Sequence, residues 1–175
     1  MGSYPPLFRE PRVVSIPTEC DVAAMSAECL TILVAEDDPL DAELLKRAMK
    51  RAAITGPVHF VKDGDEAIEY LQGHGRFADR ILYPFPSVVL TDLKMPRRTG
   101  LELLDWLRKH PECRVLPAIL MSGSWMPRDV DKAYHFGVNS YFRKPSTLDE
   151  LTELMRLLKG YWSRTELPAT PPNCE

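Results

Sequence analysis

The sequence predicts an α/β fold, a doubly wound parallel sheet of five strands with helices on both faces. Two observations predict it. Short apolar runs alternate with segments of helical periodicity, the pattern of strand–helix–strand units. Four of those runs also end in charged or hydroxylic residues: 30–35 runs into Glu36-Asp37-Asp38, 87–91 into Asp92, 118–121 into Ser122-Gly123, and Tyr141-Phe142-Arg143 into Lys144-Pro145. Crossovers between parallel strands are right-handed almost without exception, so the loops after the strands share one face, where ligands bind.

The elements follow in chain order. Strand 30–35 is succeeded by Pro39 at a first helical position, and Leu40, Leu44, Leu45, Ala48 and Met49 line one face of the helix it opens. Thr55-Gly56-Pro57 ends that unit, and Val58–Val61 is a short strand. Asp63-Gly64 turns into a second helix with Ala67, Ile68 and Leu71 inward. Residues 73–86 form a long connection with an apolar cluster of its own, Phe77, Ile81, Leu82, Tyr83 and Phe85, more aromatic than a solvated loop. After strand 87–91, the stretch Pro96–Gly100 leads into a helix carrying Leu101, Leu104, Trp106 and Leu107, stopped by His110-Pro111. Strand 117–121 precedes a helix opened by Pro127 and closed by Gly137. Strand 138–142 precedes the last helix, where Thr147 and Glu150 have capping-box spacing and Leu148, Leu151, Leu154, Met155 and Leu158 form the core face.

The 175 residues suit one domain with modest extras. Residues 1–28, with four prolines and no sustained period, read as a flexible N-terminal arm, 29–162 as the domain, and 163–175 as a loose tail. Met25 is a candidate native start, which would leave 1–24 outside the native product. A net charge of −3 argues against nucleic acid and anionic membrane as partners. No apolar stretch is long enough to span a bilayer, and the first residues lack a secretion-signal pattern. Cys20, Cys29, Cys113 and Cys174 have no metal-ligand spacing and read as reduced thiols of a cytoplasmic protein.

The polar strand ends suit phosphoryl chemistry. A carboxylate attacks phosphorus poorly until charge repulsion is removed, and a divalent cation held by neighbouring acids removes it. Asp37 and Asp92 would supply two carboxylate ligands, a backbone carbonyl at Lys94 a third, with Glu36 beside them. Lys144 would place a positive charge, and Ser122 a hydroxyl, on the phosphoryl oxygens. Taken singly each feature is weak: an acidic trio after a strand is usually a solvated turn, and Asp92 alone would cap a turn. Their strength lies in the combination, each ending its own strand. A hydrolase with an aspartyl-phosphate intermediate usually needs a second acid two residues after the nucleophile, and a Glu plus Asp-x-Asp nuclease needs one there too. That position is Lys94, which disfavours both. A scaffold that only binds and is never phosphorylated is a further alternative.

The stretches 32–39, 90–96 with Gly100, 121–124 and 141–145 resemble the receiver domain of two-component response regulators over about residues 29–160. The resemblance implies a flavodoxin-like (βα)5 sheet of order 2-1-3-4-5. It places Asp92 on the phosphoacceptor, Glu36 and Asp37 on the acidic pair, and Lys94 on the carbonyl ligand to Mg²⁺. Ser122 falls on the switch hydroxyl, Tyr141 on the switch aromatic and Lys144 on the family's lysine. In that family the hydroxyl moves inward on phosphorylation and the ring follows. The Lys144–Pro145 bond is then expected to be cis. The implied function is a single-domain regulator, not an enzyme beyond self-phosphorylation and self-dephosphorylation. Its partner would be a sensor histidine kinase or a histidine phosphotransfer protein.

A narrower resemblance rests on the long 73–86 connection with Arg76–Arg80, on His110-Pro111-Glu112 and on Gly160-Tyr161-Trp162. These look like the stand-alone regulators that accompany phytochrome-type kinases. Members of that subfamily often form homodimers through the fourth helix, fifth strand and C-terminal region, and here Tyr134, Phe136, Tyr141 and Trp162 are the candidate contacts. Gly123 departs from the pattern, which commonly has a slightly larger residue there, and leaves the site more open.

Overall fold

The computed structural model describes residues 30–168. The expectations for the arm at 1–28, for Met25, for Cys20, Cys29 and Cys174, and for 169–175 lie outside the described residues. In chain order the elements are β1 (Ile32–Ala35), α1 (Pro39–Arg51), β2 (Val58–Val61), α2 (Gly64–Gln72), a 3-10 turn (Gly75–Phe77), β3 (Val88–Asp92), α3 (Gly100–Lys109), β4 (Ala118–Ser122), α4 (Pro127–His135), β5 (Ser140–Arg143) and α5 (Leu148–Trp162). All strand pairs are parallel in the order β2-β1-β3-β4-β5, the expected flavodoxin-like topology. Among the described residues no helix is long and apolar enough to cross a membrane.

The three inner strands are buried along their whole length, so no polar alternation marks their faces. The strand period of two still divides them. Leu33, Ala35, Val89, Ala118 and Leu120 pack with Ala67 and Leu71 of α2, Leu103, Leu104 and Leu107 of α3, and Ala133 of α4. Ile32, Val34, Val88, Leu90, Ile119 and Met121 face the other way, onto Leu45, Ala48 and Met49 of α1 and Leu151 and Met155 of α5. Burial of each leucine-sized side chain contributes about 1.5–3 kcal/mol, so the two layers fix the sheet between them.

Local chemistry sets the helix starts. Asp38 Oδ1 accepts hydrogen bonds from the amides of Leu40 (2.7 Å) and Asp41 (3.1 Å), with Pro39 in the first turn of α1. Thr147 accepts from the Glu150 amide at 3.2 Å. A two-way capping box forms at Thr99 and Glu102, at the head of α3. At the other end of α2, the Arg80 guanidinium donates to the carbonyls of Tyr70 (2.7 Å) and Leu71 (2.6 Å). It thereby satisfies helix-terminal acceptors and pins the long connection. The Tyr70 hydroxyl donates to the Pro84 carbonyl at 2.7 Å, and Tyr70, Phe77 and Tyr83 stack in edge and tilted contacts.

Four expectations need correction. Leu40 is 79% exposed: the seam of α1 against the sheet is made by Leu45, Ala48 and Met49, which leaves the Leu40 side of the first turn in solvent. Of the apolar cluster in the long connection only Phe77 and Phe85 are buried, with Tyr83 packed against them; Ile81 is 93% exposed and Leu82 also faces outward, on a turn where Asp79 Oδ1 accepts from both their amides beside the Arg80 anchor. Trp162 is buried against the α1–α5 layer rather than lying on an outer face, and Tyr161 beside it is exposed. The Lys144–Pro145 peptide is trans, the isomer that the X–Pro bond itself favours by about 0.5–1 kcal/mol.

The loop after β3 is tied to α2. Asp63 is buried and caps α2 through the amides of Asp65 (2.9 Å) and Glu66 (3.0 Å). Its other oxygen accepts from Arg97 Nε at 2.7 Å. Arg97 has a φ of 59°, a left-handed conformation that non-glycine residues seldom adopt. Arg98 reinforces the tie, its carbonyl accepting from the Gly64 amide at 3.1 Å and its Nε donating to Asp65 at 2.8 Å. Where the loop enters α3, a Cβ on Gly100 would overlap the Asp92 carbonyl oxygen, so the close approach requires glycine.

Two stability measurements check this. Gly100→Ala is expected to lower unfolding free energy in urea by about 1–3 kcal/mol, since a backbone atom must give way; unchanged stability would refute the close approach. Asp63→Ala is expected to lose about 2 kcal/mol, and Asp63→Asn, whose amide oxygen still caps α2, clearly less. Equal losses would show that the cap contributes nothing.

Candidate functional site

The register gathers the polar strand ends at one edge. Ala35 pairs with Thr91, Asp92 with Met121, and Ser122 with Arg143, so Glu36, Asp92, Ser122 and Lys144 lie within a residue of one level on four strands. Glu36 and Asp37, Asp92, Ser122 and Lys144 are thus brought together from strand ends far apart in sequence.

Glu36 and Asp92 are buried, while Asp37 is exposed at the mouth. One carboxylate oxygen from each of the three lies within 4.8 Å of the others. Burial pushes the Glu36 carboxyl above its usual range, against the hydrogen bond and charge of Lys144, and the Asp92 charge adds to the rise. Burial raises Asp92 too, opposed first by Lys144 and then by the amides of Leu93 and Lys94, with Asp37 adding repulsion. These are hard oxygen donors crowded at a strained charge density, a set that fits a small divalent cation.

Lys144 is the counter-charge. Its Nζ stands 2.8 Å from Glu36 Oε2, 2.7 Å from Asp41 Oδ2 and 3.6 Å from Asp92 Oδ1. Burial works to lower its pKa, but the hydrogen bonds to Asp41 and Glu36, joined by the charges of Asp92 and Glu36, override this and raise it above the ordinary lysine value. Its backbone amide donates to the Ser122 carbonyl at 2.8 Å, which fixes the last rung between β4 and β5. The Lys94 amide donates to Asp92 Oδ2 at 3.1 Å, holding the start of the next loop against the carboxylate.

Ser122 is buried, and its Oγ accepts from the Ser124 amide at 3.0 Å. Tyr141 is half-buried on β5, and its hydroxyl donates to the Ser124 carbonyl at 2.8 Å. Ser124 Oγ in turn donates to Asp129 Oδ2, in the first turn of α4, at 2.6 Å. Gly123 is exposed, with nothing within 4 Å of where a Cβ would stand.

Three participants escape the sequence reading: Asp41, Ser124 and Asp129. Asp41 belongs to the first turn of α1, five positions after Glu36, and nothing in the pattern separates it from an acid that favours a helix N-terminus. Ser124 and Asp129 carry no signal beyond an ordinary loop and helix start.

With this geometry in place, three comparisons bear on the chain. A model of the response regulator receiver domain matches residues 32–156. Rcp1 of Synechocystis, a response regulator, is 29% identical over 79% of this chain and 92% of its own length. The structure of its Mn²⁺-bound form superposes with a TM-score of 0.71, at 28% identity over 80% of this chain and 99% of that one. The response regulator RPA3017, described in red light signalling of R. palustris, gives a TM-score of 0.76 at 37% identity, covering 81% of this chain and 99% of that one. The phosphorylated cyanobacterial phytochrome response regulator RcpA gives 0.73 at 27% identity, with the same two coverages. With its receiver topology, its acidic cluster and a family match that spans β1 to α5, this chain belongs to the response regulator receiver domain family.

Proposed function

We propose that this protein is a single-domain response regulator, with residues 29–162 as the receiver, that takes a phosphoryl group on Asp92 from a sensor histidine kinase or a histidine phosphotransfer protein. The observation that carries this reading is the convergence of Glu36, Asp37 and Asp92 around one small volume, with Lys144 as their buried counter-charge. The acidic trio, with the Lys94 carbonyl, would hold Mg²⁺, which supplies neutralisation of charge between the carboxylate and the incoming phosphoryl oxygens.

The chain's own residues do the rest. An Asp92 oxygen forms a bond to phosphorus while the bond to the donor breaks, and the donor leaves with its electron pair. Lys144 offers an ammonium and Ser122 a hydroxyl to the phosphoryl oxygens. Burial, with a smaller contribution from acid–acid repulsion, raises the Glu36 and Asp92 carboxyls, so their charged forms are costly there and added positive charge favours them. The signal then leaves through Ser122, the Ser124 loop and Tyr141. The chain is not an enzyme beyond its own labelling and hydrolysis, acts in the cytoplasm, and uses neither nucleic acid nor membrane as a partner. Likeness to a cyanobacterial phytochrome response regulator, and to a response regulator described in red light signalling, supports a phytochrome-like kinase as donor.

The test is labelling with acetyl phosphate and Mg²⁺. Wild-type protein is expected to take one acid-labile phosphate, lost in Asp92→Asn and after chelation of the metal; undiminished labelling of Asp92→Asn refutes the assignment.

A homodimer would use α4, β5 and the C-terminal region. Met126 and Trp125 just before α4, Tyr134 on α4 and Tyr161 near the end of α5 are exposed apolar groups that such an interface would cover. Light scattering of Tyr134→Glu is expected to show monomer where the wild type shows dimer; a wild type that stays monomeric at high concentration, with and without phosphorylation, overturns the dimer.

A further inference from the structure

Asp41 stands outside the acidic trio, yet makes the shortest contact to Lys144, 2.7 Å. Its side chain is 43% exposed, and its backbone is fixed at the head of α1 by the Asp38 cap. An anion in the first helical turn is favoured there whatever the rest of the site does. Glu36 also holds Lys144, at 2.8 Å, whereas Asp92 stands farther off, at 3.6 Å.

We infer that Asp41 is a positioning residue that parks Lys144 at the rim of the site in the unphosphorylated protein and competes with the phosphoryl oxygens for its ammonium. The inference deepens the reading of Asp92 as phosphoacceptor and rests on it. Glu36 belongs to the set of oxygens that fits a cation, and Asp41 does not, so with that set engaged Asp41 is the acid left to hold the lysine. A phosphoryl group on Asp92 brings new anionic oxygens to the Asp92 side of Lys144. Lys144 reaches them by giving up Asp41, a shift on the scale of the 3.6 Å gap that already separates it from Asp92. In the labelling step Asp92 Oδ bonds to phosphorus, the bond from phosphorus to the acyl oxygen breaks, and acetate leaves with the electron pair. No proton transfer is needed, and the ammonium acts only by position and charge. An acid that holds the ammonium back therefore slows capture of the phosphoryl group.

The experiment uses the full chain, acetyl phosphate and saturating Mg²⁺. Asp41→Asn keeps the shape of the side chain and, as a half-exposed position, leaves the fold intact, which circular dichroism checks. Its rate of labelling is expected to rise about three- to fivefold, the size of a half-exposed ion pair. Removing any acid near the site also weakens general repulsion of an anionic donor, so two arms separate contact from field. Raising NaCl from about 50 mM to about 500 mM screens a longer-range field effect almost fully and a direct contact, with Lys144 only 18% exposed, in part only. In a Lys144→Met background the Asp41→Asn gain is expected to vanish. A rate that is unchanged or lower in Asp41→Asn, a gain erased by salt, or a gain that persists without Lys144 overturns the inference. Should Lys144→Met take no label, the salt arm decides. An Asp92→Asn control distinguishes the two readings: label surviving there removes the phosphoacceptor assignment itself, whereas label confined to Asp92 with no Asp41 effect removes only the parking role.

Discussion

One ammonium makes the acidic corner of this fold tolerable. Glu36 and Asp92 are buried carboxylates on adjacent central strands, with Asp37 beside them. Without Lys144 their mutual repulsion would push the strand ends apart or drive protons onto them. Lys144 reaches in from the edge strand β5 and contacts Glu36, Asp41 and, at longer range, Asp92. Desolvation of so many charges is expensive, so the arrangement adds little to stability and reads as a functional compromise. The two apolar layers on either side of the sheet supply the stability that holds it in place.

Much of this was legible in the sequence, because strand ends are where pattern and chemistry coincide. The apolar runs fix the strands to within a residue or two, and in a parallel sheet the residue after each run must point to the shared edge. The sequence alone therefore places Glu36, Asp37, Asp92, Ser122 and Lys144 together. The missed parts have physical reasons as well. Asp41 lies on a helix, where an acid in the first turn is ordinary, and its partner is 103 residues away. The exposure of Leu40 and the burial of Trp162 depend on how a helix rolls on its neighbours, which a periodic pattern constrains only to about one residue. Ile81 and Leu82 looked like core because they are apolar, but they sit on an outward turn, held by Asp79, beside the arginine that caps α2.

The loop between β3 and α3 illustrates a different kind of constraint. It starts at a carboxylate, passes through Arg97 in a left-handed conformation, and ends on a glycine that touches the Asp92 backbone. Two arginines fasten it to the head of α2. Strained backbone persists only when its surroundings over-determine it, and here a buried Asp63 does so. The Lys94 amide, which holds Asp92 Oδ2, is thereby set by residues that belong to another helix.

Ser124 has a consequence beyond its own loop. Its amide binds the Ser122 hydroxyl, its carbonyl binds the Tyr141 ring hydroxyl, and its own hydroxyl binds Asp129 in α4. Three parts of the molecule therefore meet on one small residue. A shift of the buried hydroxyl would bear, through that single residue, on an aromatic side chain of the outermost strand and on the leading turn of a helix, like a pin through three hinge plates.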